Sequence, residues 1–317
     1  MFNENFNFVP TKKSRYNAVN GYFKQVFNGK VYKLSLDQKV TCPNRDGSLG
    51  NRGCIFCSQG GSGDFAEPCD NNLAVAIENA KLRVKNKTND NKFIAYFQSY
   101  TNTYAPIEKL EKIFFEAITR EDIVALSIAT RPDCLPKPVL DLLKRLCEIK
   151  PVFVELGLQT VHEKSAKFIR RGYEYPVFEK AVKHLNEIDA KVVVHLILGL
   201  PHESEEMMLE SVKAVSKLDI HGVKLQLLHV LQNTDLAKIY QETPFKVLEK
   251  QEYFALLAKC VKLLPSNVVI HRLTGDAPKK LLIEPKWSAD KKSVLNGLKQ
   301  YFETHDVLQG SDFISSK

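Results

Sequence analysis

The sequence predicts an α/β fold, an incomplete (β/α)6 barrel with an appended C-terminal α/β layer. Strand-length runs of Val, Ile, Leu and Phe alternate with amphipathic helical segments six times in succession. These strands are apolar throughout rather than alternating, as a parallel sheet covered on both faces requires, with right-handed crossovers. A chain of 317 residues also suits one α/β barrel with short additions.

The first strand is expected from Val31 to Val40, and a charged helical stretch begins near Leu73. KFIAYFQS follows as the second strand. A helix over Ile107 to Ile118 places Ile107, Leu110, Phe114, Ala117 and Ile118 on one face. IVALSIAT is the third strand, Pro136 to Ile149 a helix, and PVFVELGLQ the fourth strand. Two helical stretches lead to KVVVHLILG, then a helix from Glu203 to Leu218 to GVKLQLLHV. Beyond Val230 the pattern loosens into helices near Asp235, Leu248 to Leu264 and Ser293 to Phe302, with one short strand, NVVIHRL. The expected organisation is an N-terminal extension (1–30) that wraps an edge or stays mobile, a barrel (31–230) and a C-terminal extension packed on it (231–317).

Composition is ordinary for a globular chain, 44% hydrophobic and 26% charged, without repeats or low-complexity tracts. No apolar signal core or membrane-length apolar run is present, which predicts a cytoplasmic protein without a membrane partner. Seven cysteines, an odd number, fit metal binding better than a disulfide framework. The net charge of +8 permits an anionic partner.

TCPNRDGSLGNRGCIFCSQG follows the first strand, which puts Cys42, Cys54 and Cys57 at the C-terminal mouth of the sheet. Three thiolates on one glycine-rich loop can hold three irons of a cluster and leave the fourth open. The alternative is structural zinc. Cys69 follows Cys57 after the same eleven-residue gap that separates Cys42 from Cys54, and four cysteines close a tetrahedral shell.

The C-x11-C-x2-C loop, reading CPNRDG and then CIFCSQGGSGDFA, resembles the cluster motif of the Elongator-catalytic-subunit-like branch of the radical S-adenosylmethionine (SAM) superfamily. It is similar to one bacterial family in that branch over nearly the whole chain. The resemblance implies a radical SAM partial barrel with a 4Fe-4S cluster on Cys42, Cys54 and Cys57. Its open iron would bind SAM for reductive cleavage to a 5'-deoxyadenosyl radical. It also implies SAM contacts from Gln98 and Thr101 at the end of the second strand, where the superfamily's glycines are absent here. Gln159 and Arg171 match a glutamine on strand four and an arginine twelve residues later, the guanidinium suiting the SAM carboxylate. His195 would face the ribose hydroxyls, and Gly199 with Pro201 would support the adenine. Cys69, Cys134, Cys147 and Cys260 form no second cluster in sequence, and Cys147 and Cys260 fall in apolar helices.

Candidate substrate contacts are Gln226, His229, Thr234, His271 and Arg272, at and beyond the sixth strand. The resemblance implies action on the wobble uridine of transfer RNA (tRNA), converting carboxymethylaminomethyluridine to aminomethyluridine. An electron donor such as flavodoxin or ferredoxin is implied as well, and no DNA partner is expected. Lys12, Lys13, Arg15, the Lys81 to Lys87 run, Lys279, Lys280, Lys291 and Lys292 are candidate phosphate contacts. The competing readings are a radical SAM enzyme acting on a small metabolite and a zinc-stabilised RNA-binding protein.

Overall fold

In a computed structural model, described for residues 7–58, 60–61, 65–69, 72–87 and 90–314, one eight-stranded parallel sheet organises the chain. Gln59 and positions 62–64 of the cysteine segment, and residues 1–6 of the N-terminal extension, lie outside the described residues. In chain order the strands are β1 (Tyr32–Asp37), β2 (Glu67–Pro68), β3 (Phe93–Phe97), β4 (Ile123–Thr130), β5 (Val152–Gln159), β6 (Lys191–Leu198), β7 (Gly222–Leu227), β8 (Val230–Leu231), β9 (Val269–Arg272) and β10 (Leu282–Glu284). The main sheet runs β2-β1-β3-β4-β5-β6-β7-β9, and β8 pairs antiparallel with β10.

The six expected strands are β1, β3, β4, β5, β6 and β7. The segment after residue 230 does more than form a separate layer, because β9 extends the barrel sheet beside β7. Curvature follows from contacts across strands. Lys224 Nζ on β7 lies 3.2 Å from the Tyr96 hydroxyl on β3, four strands away. In a flat sheet that separation is about 19 Å. The sheet therefore curls into a barrel, and the linear strand order leaves it incomplete.

Helices α1 (Val19–Val26), α2 (Leu73–Leu82), α3 (Ile107–Ile118), α4 (Lys137–Cys147), α5 (Glu163–Phe168), α6 (Tyr175–Asn186), α7 (Glu205–Ser216), α8 (Asp235–Glu242), α9 (Lys250–Leu263) and α10 (Lys291–Thr304) complete the fold. Asn72, Ser204, Thr234 and Asp290 cap α2, α7, α8 and α10 through their side chains, satisfying amides that a helix start leaves unpaired. The main core joins the helices to the outer faces of the strands, through residues such as Phe114, Leu142, Phe178 and Val212.

The N-terminal segment was expected at an edge or free. Ala18 does bridge Ile270 on edge strand β9, but α1 inserts Phe23, Val26 and Phe27 against Ile94, Ala125, Phe153 and Val193. Those four residues sit on adjacent barrel strands near their N-terminal ends, so α1 plugs the bottom of the barrel. No helix among the described residues is long and apolar enough to cross a membrane.

Candidate functional site

Cys42, Cys54 and Cys57 line one small cavity at the C-terminal ends of β3 to β6. The eleven residues between the first two fold back on themselves. Arg45 and Asp46 amides donate to the Cys42 carbonyl, and the Gly53 amide donates to the Asn44 carbonyl at 2.7 Å. Gly53 takes φ +73°, a conformation other residues adopt only with strain. Asn44 Nδ2 then reaches both Cys54 Sγ, at 3.3 Å, and the Arg170 carbonyl, at 2.7 Å. Arg45 donates to the carbonyls of Cys57 and Ser58. Burial, and then the neighbouring Cys57, pushes the Cys54 thiol up to about 12. A thiolate here needs a metal to take up its charge.

Cys69 lies elsewhere, in the core beside Leu73 and Ile77 beneath the outer face of β1. The four-cysteine zinc shell is therefore not assembled. Among the described residues no three His, Cys, Asp or Glu side chains converge on a single-ion site. Cys134 and Cys260 are buried, and Cys147 packs against the main core.

The cysteine cavity is also lined by Gln98, Thr101, Gln159, Arg171 and His195, so the structure gathers all five residues expected around SAM. Three buried oxygens along it have no protein partner: Ser99 Oγ, Thr101 Oγ1 and Gln159 Oε1. Ser99, Tyr100 and Gln159 hold positive φ angles of 84°, 55° and 69° at the ends of β3 and β5. Buried polar atoms are ordinarily paired, and strain of this kind concentrates at ligand sites. Unpaired oxygens beside three thiols fit a cofactor rich in donors such as an amino group and ribose hydroxyls. Ser99 was not anticipated, although its place in the polar QSYTN run after β3 was a visible signal.

Arg171 departs from expectation. Only 2% of its side chain is exposed, and it donates to the carbonyls of Tyr173 (2.9 Å), Leu158 (3.2 Å) and Thr160 (2.5 Å) and to Glu163 (3.0 Å). Its fork is thus turned onto the backbone on either side of Gln159. It holds the end of β5 in place and keeps no parallel pair of donors for a carboxylate. His195 is also engaged, with Nε2 at 2.9 Å from Glu155. Burial and Lys224 push His195 down to about 4 against the pull of Glu155, so the imidazole is neutral at physiological pH.

A larger cavity of about 710 Å³ adjoins this one and shares Phe56, Tyr96 and Gln98 with it. Gln226, His229, His271 and Arg272 all line it. Thr234 does not, because its hydroxyl donates to the Leu231 carbonyl and caps α8. Arg272 is paired with Asp276 at 3.0 Å. His229 Nε2 and both ring nitrogens of His271 are buried without partners.

The basic surface is thinner than the sequence suggests. Arg15 pairs with Asp306, Lys81 with Glu78 and Asp122, Arg83 with Glu67, and Lys291 with Asp276. Lys12, Lys13, Lys279, Lys280 and Lys292 remain exposed. The Lys87 side chain lies outside the described residues.

Residues 48–215 match the Radical SAM superfamily, and residues 220–304 match the Radical_SAM C-terminal domain. The uncharacterized protein YtqA of Bacillus subtilis is 41% identical over 313 residues, covering 99% of this chain and 97% of YtqA. A tRNA uridine(34) acetyltransferase of Methanocaldococcus jannaschii is 29% identical over 208 residues, 63% of this chain and 36% of that protein. Among solved structures, Elp3 of Methanocaldococcus infernus superposes with a TM-score of 0.66 at 18% identity, covering 88% of this chain and 64% of that one, a likeness of fold. The chain belongs to the radical SAM superfamily, whose members carry a 4Fe-4S cluster and SAM.

Proposed function

We propose that the protein modifies the wobble uridine side chain of tRNA, converting carboxymethylaminomethyluridine to aminomethyluridine. When bound, the cluster and SAM supply the 5'-deoxyadenosyl radical that abstracts hydrogen from the substrate. Cys42, Cys54 and Cys57 hold the cluster in this reading. Thr101, Ser99 and Gln159 orient SAM through their unpaired oxygens, Gln98 lies at the junction of the two cavities, and His195 offers Nδ1 to the ribose. Arg171 acts as a positioning residue behind Gln159.

The observation that carries the reading is the large cavity that adjoins the cysteine pocket and shares Phe56, Tyr96 and Gln98 with it. A splayed-out base fits a chamber of that volume, which is how single-stranded loops are recognised by enzymes that act on a base. Similarity to a tRNA uridine(34) acetyltransferase supports the choice of base. The exposed lysines suit the phosphates of an anticodon arm, and a flavodoxin or ferredoxin would deliver the electron.

Reduced enzyme with SAM is expected to release 5'-deoxyadenosine faster with tRNA carrying carboxymethylaminomethyluridine than with unmodified transcript, and aminomethyluridine should accumulate. The tRNA dissociation constant should rise steeply with salt as counterions are released. Equal release with both RNAs, and an unchanged wobble nucleoside profile in cells lacking the protein, would refute the tRNA reading and favour a small metabolite.

A further inference from the structure

The interior of the barrel holds a charge cluster that spans the two cavities. Glu155 on β5 is 1% exposed and accepts four hydrogen bonds. Lys33 Nζ (2.7 Å) and Ser127 Oγ (2.7 Å) donate to Oε1, while His195 (2.9 Å) and Lys224 donate to Oε2. The two ammonium groups also sit 4.7 and 4.9 Å from the centre of the Tyr96 ring. With His195 neutral, one carboxylate faces Lys33 and Lys224, so with Lys224 protonated the cluster carries a net positive charge inside the barrel.

Charge that is buried without a counter-charge is costly unless a partner arrives. Both lysines line the large cavity. Its other charged lining residues are Lys24, Lys30, Arg272 and Asp276, five cations in all against one anion, and that anion is already paired with Arg272 and Lys291. Each lysine has three N–H groups. Lys33 uses two on Glu155 and Ser127, and Lys224 uses two on Glu155 and Tyr96.

We propose that the remaining N–H of Lys33 and of Lys224, set on opposite oxygens of Glu155 and facing one cavity, form a receptor for a carboxylate carried by the substrate. This rests on the tRNA reading only in identifying the carboxylate as the glycine-like end of the wobble side chain. Held there, the carboxylate sits in the chamber that adjoins the cofactor pocket across Phe56, Tyr96 and Gln98. Burial pushes Lys224 down to about 7 against the pull of Glu155, and an incoming anion would favour its charged form. Glu155 holds one ammonium group on each of its two oxygens, and both lie over the same Tyr96 ring.

The test compares binding of carboxymethylaminomethyluridine nucleoside and its carboxamide to cluster-loaded protein with SAM, by calorimetry. The acid should bind at least tenfold more tightly than the amide. That preference should collapse in Lys224→Gln and Lys33→Gln, which keep a donor toward Glu155, while the folded variants bind SAM with near wild-type affinity. A backbone phosphate site would leave acid and amide indistinguishable, because neither nucleoside carries a phosphate. Equal affinity for the two, binding of neither, or full acid preference in both variants overturns the receptor. Acid preference lost in the variants, with no turnover of the modified tRNA by wild type, refutes the tRNA reading and leaves the receptor standing.

Discussion

Arg171→Ala separates two roles for one side chain. If the guanidinium holds β5 and the following loop, its removal leaves the Thr160 and Tyr173 carbonyls unpaired, and takes one of two donors from the Leu158 carbonyl, in a site where the side chain is only 2% exposed. Hydrogen bonds from a charged donor contribute about 1.5 to 3 kcal/mol each, but they are not additive and water can enter the vacated space. Glu163 is 41% exposed, so its share is screened. Two buried carbonyls left without a donor, at about 1 to 3 kcal/mol each, put the loss at about 3 to 5 kcal/mol. At about 2 °C per kcal/mol for a chain of this size, the midpoint should fall by roughly 6 to 10 °C. Thermal unfolding of anaerobic protein reads this directly, with SAM affinity measured on the folded variant. Any loss of affinity should be non-additive with Gln159→Ala, because Arg171 acts through the backbone around Gln159. An unchanged midpoint with strongly weakened SAM binding would refute the positioning role and restore the direct clamp.

Other predictions are shorter. Cys42→Ala, Cys54→Ala and Cys57→Ala should each abolish the brown colour and the roughly four irons per chain of a 4Fe-4S protein, whereas Cys69→Ala should keep both. Stoichiometric zinc with no iron uptake would overturn the cluster. Thr101→Val should weaken SAM by about 1 kcal/mol, or roughly fivefold, with an unchanged midpoint, since the hydroxyl has no protein partner to lose. A lowered midpoint would show that Thr101 supports the fold instead. Burial pushes His195 and His229 down to about 4 and His221 to about 3. Between pH 6.5 and 4 the unfolded chain therefore binds protons that the folded chain refuses, and stability falls as pH drops. Urea unfolding at pH 5.5 should show a loss of about 1 kcal/mol per histidine relative to pH 7.5, and His221→Phe should remove its share. A pH-independent stability across that window would contradict neutral burial.

The strands and the cysteines were legible because each leaves a local trace. Apolar runs such as IVALSIAT and KVVVHLIL become β4 and β6 almost unchanged, since fully buried parallel strands need no alternation. The three cysteines share one loop, so their meeting is settled within about fifteen residues of chain. Arg171 could be placed at the pocket but not oriented, because a long side chain can turn toward a cavity or into the backbone from the same position. The Lys33, Glu155 and Lys224 cluster went unread for a different reason. Its members come from three strands that meet only when the sheet curls, although each is a lone charge in an apolar run, VYKLSL, VFVELGLQ and GVKLQL. The seat of α1 inside the barrel had no signal beyond amphipathicity.

The curled sheet also explains why the parts of the chain do not separate into an active barrel and a passive tail. Asp235, the first residue of α8, pairs with Arg52 at 2.7 Å from the cysteine loop and with Arg170 at 2.6 Å from the segment beside Gln159. The Leu236 amide donates to the Ile55 carbonyl between Cys54 and Cys57, and Ile55 packs with Ile169, Ile197 and Leu236. At the other end, α1 closes the barrel floor with apolar side chains. Three layers result along the barrel axis: an apolar plug, the buried charge cluster, and the thiol-lined mouth braced by α8. The apolar side chains packed below the cluster lower the local dielectric, which strengthens the hold of Lys33 and Lys224 on an anion. The sequence segments before β1 and after β7 thus set the electrostatics and the geometry of a site whose cysteines lie between them.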